Sequence, residues 1–310
     1  MIFRGRDEQF VGVLPGQFPA EGQPVAVGNV RGGHEWRGEV AVQFQPPKDV
    51  APALAGTVID GVVDARDLAA MMIDLSLRGW FTLKKQGDDW QLSLLRPIIA
   101  AELAPAEVLL LQGLFPGQVE TVLLSQAKST LGRPLRGCRD ELYREVVHQG
   151  WYSRDPRRGR LARLVRGRVP RTAGGTAVRI QTMGFRHYLR TAEASQIRFE
   201  EAADQFSRYL PYAMVFGIAD RWAGVIAEVV RREQVLDPAA VAAEVASDPV
   251  AWELLGGLVD LAGAGVEVVD LACEVGGLLD LGAALGGIGE AFEGLGDFLD
   301  GFDLFDLFDF

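Results

Sequence analysis

The sequence predicts a mixed α+β protein, mostly α: tandem winged-helix-like units, then a long-helix segment, then an acidic amphipathic tail. Three observations carry this. Leu68, Met71, Met72 and Leu75 recur at i, i+3, i+4 and i+7, one apolar face of a helix. Two alternating runs follow, Phe81 to Lys85 and Trp90 to Leu95, flanking Gln86-Gly87-Asp88-Asp89 as a two-stranded ribbon would. Helical patterns then extend over 174–193 and 198–233, and from Leu236 onward the character changes to acid alternating with Gly, Leu and Phe.

Taken in order, residues 1–45 read as extended linker, rich in Gly, Pro and Gln, with a short strand at Val40 to Phe44 stopped by Pro46-Pro47. Residues 46–96 form the first winged-helix-like unit: a helix from Pro52, a second from Asp64 to Arg78 ended by Gly79, then the ribbon. Residues 97–153 repeat the order less clearly, with helices at Ala104 to Leu114, Glu120 to Thr130 and Leu135 to Gly150. An arginine-rich linker occupies 154–172, a helical segment 173–235, and the tail 236–310. Pro211 is placed where the second long helix breaks or restarts, because a first-turn proline loses no helical hydrogen bond.

The 310 residues carry a formal net charge of −11, and that charge is unevenly placed. Residues 1–190 hold 26 basic and 19 acidic side chains, whereas Leu236 to Phe310 has no Lys or Arg against 16 Asp and Glu. Within the body, Arg154, Arg157, Arg158, Arg160, Arg163, Arg166, Arg168 and Arg171 face a single acid, Asp155. The chain is therefore polarised rather than uniformly acidic. Two cysteines exclude a disulfide framework, and with three scattered histidines they do not make a structural zinc site. Cys138 and Cys273 fit reduced thiols. The opening MIFRGRDEQF is charged where an export signal needs an apolar stretch. The longest candidate span, Leu210 to Val230, is interrupted by Asp220, Arg221 and Glu228.

Two stretches resemble a known family. QFQPPKDVAPALAGTVIDGVVDARDLAAMMIDLSLRGWFTLKK and, above all, GFRHYLRTAEASQIRFEEAADQFSRYLPYAMVFGIADRWAGV (Gly184 to Val225) are similar to the cytosolic part of YciQ-like predicted membrane proteins, the family of domain of unknown function 2207. The resemblance runs from about Arg4 to about Val230. It implies an exported domain, membrane helices and cytosolic segments in relatives, with later membrane helices where this chain has Arg154 to Arg171. Cytosolic flanks of membrane helices gather Lys and Arg, so two flanks joined after loss of a membrane hairpin would fuse into one basic run. The chain then reads as a soluble paralogue, or an engineered soluble form, of such a region.

The expected function is a non-enzymatic cytosolic interaction module, peripheral at the cytoplasmic membrane face, whose charged linker and tail make protein or membrane-surface contacts. The alternative is a winged-helix nucleic-acid-binding regulator. Against it, the expected outward face of the 64–78 helix presents Asp67, Ala70, Asp74 and Arg78, and its two carboxylates would repel phosphates. In the second unit Arg139 and Arg144 are offset by Asp140 and Glu145. The arginine run is the candidate electrostatic contact for anionic lipid, for a protein partner, or for the chain's own tail. Asp297, Asp300, Asp303, Asp306 and Asp309, interleaved with phenylalanines, are the candidate tail contact; self-association is a further expectation, and a membrane-bound relative a further partner. No cofactor or metal is expected. Ser125 and Lys128 match S-x-x-K without the S-D-N or K-T-G that accompany it in hydrolases. Gly263-Ala264-Gly265 lacks the third glycine and preceding strand of a dinucleotide loop.

Overall fold

The computed structural model of the chain describes residues 5–86, 89–157 and 169–236. Each helix start has a local cause. Pro52 opens α1 (Pro52–Asp60), and Gly61, at φ 78°, closes it by donating to the Thr57 carbonyl. Asp64 caps α2 (Ala65–Leu77) in a reciprocal capping box with Asp67. Gly79, at φ 74°, turns the chain into the strand that follows.

Two ribbons precede and follow these helices. β1 (Glu8–Phe10) pairs antiparallel with β2 (Val27–Asn29), Phe10 opposite Val27. β3 (Phe81–Gln86) and β4 (Asp89–Leu94) form the expected hairpin. A third strand, β5 (Thr121–Leu123), joins β4 with Gln91 opposite Leu123. Of the five further α-helices in the described residues, four are α3 (Pro105–Leu114), α4 (Leu124–His148), α5 (Ala173–Thr191) and α6 (Phe199–Val215). α7 (Ala219–Leu236) follows. The result is mixed α+β, mostly helical, with small antiparallel sheets.

One apolar core runs through all of it, from Trp80, Phe81 and Phe115 to Phe185, Phe206 and Trp222, each at most 1% exposed. α3 crosses α4 closely because Gly113 has no side chain: a Cβ there would lie 2.6 Å from Cβ of Pro134. α2 packs on both α1 and α6, so it is a central helix rather than a surface one.

Several expectations change. Val40 to Phe44 is not a strand. Its partner is a helix: the Ala41 carbonyl would be 2.3 Å from a Cβ at Gly184 of α5, and Tyr209 Oη donates to the Phe44 carbonyl at 3.2 Å. The described part of the expected linker, residues 5–39, is packed, its ribbon seated on α5. Glu120 to Thr130 is not one helix, because Thr121 and Val122 complete the sheet before α4 begins; α4 then absorbs the expected 135–150 helix despite Pro134. The two units thus share one sheet. Pro211 lies inside α6, and the break falls at Gly217, φ 66°. Burial of Tyr209, Leu210, Tyr212 and Ala213 around it offsets the hydrogen bond that Pro211 cannot make.

Candidate functional site at the base of the arginine run

Arg171 does not belong to a surface cluster, as the sequence had implied; its guanidinium is 0% exposed. It donates through Nε to the Val58 carbonyl at 2.8 Å, through Nη2 to the Ile59 carbonyl at 2.5 Å, and through Nη1 to Asp7 and Glu35 at 3.0 Å each. The backbone N–H of Arg171 also donates to Asp7 Oδ1 at 2.7 Å. Arg179, one face along α5, donates to the Ile59 carbonyl at 3.1 Å and the Trp36 carbonyl at 3.2 Å, with Glu35 3.6 Å away.

This cluster answers three needs together. The last carbonyls of α1 lack helical partners and carry the negative end of the helix dipole, and two guanidiniums satisfy them. Asp7, itself 0% exposed, is neutralised by Nη1 of Arg171 at Oδ2 while its Oδ1 accepts from the Arg171 backbone N–H. The Tyr152 ring lies 5.4 Å from the guanidinium carbon. Burial opposes the charge on Arg171, but Tyr152, Asp7 and Glu35 outweigh it and the pKa is raised.

The backbone closes at the same place. Tyr152 and Arg171 form an isolated antiparallel bridge, and the Thr172 N–H donates to the Trp151 carbonyl at 3.1 Å. The first turn of α5 presses on this junction, a Cβ at Gly175 lying 2.0 Å from the Trp151 carbonyl oxygen. Gly5 abuts Pro170, where a Cβ would meet Cδ at 2.9 Å, and the Glu8 N–H donates to the Arg171 carbonyl at 3.0 Å. Pro170 and Arg171 therefore lie between the start of β1 and Tyr152.

Arg154 is exposed. Arg157 is exposed too, paired with Asp140 and Asp155 and 5.1 Å over the Tyr143 ring. Arg158, Arg160, Arg163, Arg166 and Arg168 lie outside the described residues, as do Asp297, Asp300, Asp303, Asp306, Asp309 and Cys273. The expected outward face of α2 is outward only at its C-terminal end: Asp67 is 2% and Ala70 0% exposed, whereas Asp74 is half-buried and Arg78 exposed. Asp67 faces Gly56 of α1, where a Cβ would fall 2.1 Å from Oδ1, and desolvation pushes its pKa up to about 8. Asp74 instead binds Arg78, which also pairs with Glu107 at 2.5 Å. In the second unit Arg144 pairs with Glu141. Ser125 donates through both N–H and Oγ to Asp89, tying α4 to β4. Among the described residues no group of His, Cys, Asp and Glu is arranged to hold a metal. Asp7, Glu35 and Arg179 went unnoticed in the sequence; an acid 164 residues from its arginine leaves no local signal.

A helical α+β body whose arginine run ends in a buried guanidinium is the class of molecule this geometry defines. Residues 159–225, from the arginine run through α5, α6 and the start of α7, match the family described as Predicted membrane protein (DUF2207) C-terminal domain. No curated protein and no solved structure matches the chain. Among the described residues no helix is long and apolar enough to cross a membrane.

Proposed function

We propose that the protein is a non-enzymatic interaction module that works at the cytoplasmic face of a membrane, its winged-helix-like units serving as scaffold and its arginine run as the contact for anionic surfaces. The observation that carries this reading is the Tyr152–Arg171 bridge. It brings the two ends of the basic run together on a rigid base, where a relative could insert a membrane hairpin without disturbing the core. Burial of the Asp67 and Ala70 face of α2 supports a scaffold role for that helix over base readout. The acidic tail, net −16 over Leu236 to Phe310, competes with the membrane for the same arginines.

Vesicle sedimentation tests the reading. The full chain should bind phosphatidylglycerol-containing vesicles weakly. Deleting 236–310 should raise the bound fraction, and changing Arg158, Arg160, Arg163 and Arg166 to Gln should abolish it. Unaltered binding after tail deletion would sink the competition, and unaltered binding after the arginine changes would sink the contact itself.

A further inference from the structure

Four large apolar side chains of the N-terminal ribbon and its connecting turns stand half or more exposed: Val11 at 52%, Leu14 at 68%, Phe18 at 50% and Val27 at 53%. They are held out by specific contacts rather than left loose. Phe18 packs on Phe10 at 6.0 Å between ring centroids and touches Gly174 at the start of α5. The Gly16 carbonyl accepts from Gln181 Nε2 at 2.6 Å, which fixes the turn carrying Leu14 against α5. Val11 stays in register through its N–H to the Ala26 carbonyl at 2.8 Å.

The position of this ribbon is informative. β1 begins at the residue that donates to the Arg171 carbonyl, so Val11 lies about 10 Å along the strand from the root of the arginine run. Exposed Arg6 and Arg31 flank the ribbon, with Glu8 the exposed acid on β1. Between the ribbon and α5 lies a cavity of about 490 Å³ walled by Val11, Leu14, Ala177 and Ile180, with Arg31 also lining it. Gln9, Gln17, Asn29 and Thr176 stand among these apolar walls, so the lining is mixed. Exposed apolar side chains set beside a strongly basic segment are the pairing that peripheral bilayer binders use. A protein partner or a second copy accounts for the apolar residues but not for their position at the root of that charge.

We propose that the β1–β2 ribbon is a bilayer-contact element, in which Leu14 and Phe18, with Val11 and Val27, enter the acyl region of an anionic membrane while Arg6 and Arg31 meet phosphates. The proposal rests on the membrane-surface reading above and adds which residues enter the lipid. The test is a full chain carrying Cys273→Ser, with an environment-sensitive fluorophore on Leu14→Cys or, as reference, on Gln112→Cys, an exposed position of α3. On mixing with phosphatidylglycerol–phosphatidylcholine vesicles, the Leu14 probe should shift to the blue and brighten and the Gln112 probe should not. Leu14→Asp with Phe18→Ser should lower vesicle affinity by about tenfold or more, the burial of two apolar side chains, with an unchanged circular dichroism spectrum. Vesicle binding with a silent Leu14 probe would overturn the insertion while leaving the charge-driven contact standing. A Leu14 shift that needs no lipid and grows with protein concentration would overturn it in favour of a second copy. No vesicle binding by the full chain or by the tail deletion would remove both readings.

Discussion

Tyr152 and Arg171, nineteen positions apart in the sequence, pair as an antiparallel bridge, and the side chain of Arg171 continues inward to Asp7. One residue thus pairs with Tyr152 through its backbone and pins the N-terminal ribbon to the end of α1 through its side chain. Its consequences are testable.

Replacing Arg171 with Met should destabilise the protein by about 3–5 kcal/mol, because it strands a fully buried Asp7 carboxylate. Arg171→Lys should recover only part of this, since an ammonium cannot reproduce the fork to Val58, Ile59, Asp7 and Glu35. Pairing Arg171→Met with Asp7→Leu should restore much of the loss. Urea midpoints of the four proteins decide it.

Stability should fall as pH rises from about 4 to 8 through Asp67. In the folded protein burial raises its pKa to about 8, whereas in the unfolded chain it titrates near 3.9. Between those values the folded state holds the extra proton, so acid favours folding and alkali opposes it. Burial also raises Asp74, which contributes in the same direction. Asp67→Asn should flatten the slope; equal pH dependence in the two proteins, followed by urea unfolding at pH 5 and 8, would refute the assignment.

Two glycine-to-alanine changes should have opposite signs. Gly175→Ala places a Cβ 2.0 Å from the Trp151 carbonyl oxygen, backbone that has to shift, at a cost of about 1–3 kcal/mol. Gly224→Ala in α7 meets nothing within 4 Å and should stabilise by about 0.5–1 kcal/mol. Thermal midpoints measured side by side would show the split.

Cys138 should be inert. Its thiol is buried, donates to the Ala106 carbonyl at 3.3 Å, and has its pKa pushed up to about 12 by desolvation. In a Cys273→Ser protein, alkylation at neutral pH should proceed only at the rate of unfolding. Fast labelling without denaturant would contradict this packing.

Local patterns were readable where their cause is local. Pro52 and the 68–75 periodicity foretold α1 and α2, and the Gln86–Asp89 turn foretold the β3–β4 hairpin. Patterns misled where the partner is distant. Val40 to Phe44 alternates as a strand does but lies along α5, and Thr121 to Leu123 looks helical in its context but completes a sheet. The start of the α2 face taken for solvent-exposed is covered, Asp67 by Gly56 of α1, and α6, some 130 residues later, also packs on α2.

By itself the sequence determined the helix starts, the hairpin, the polarity of charge between body and tail, and the resemblance that the 159–225 match supports. These depend on side-chain type and short spacings, which survive without coordinates. Only the tertiary structure divided the arginines, leaving Arg157 at the surface and drawing Arg171 into a charge network with Asp7, Glu35 and two carbonyls of α1. The reason is physical: a buried guanidinium persists only where carboxylates and orphaned carbonyls converge on it, and that convergence is made by the fold.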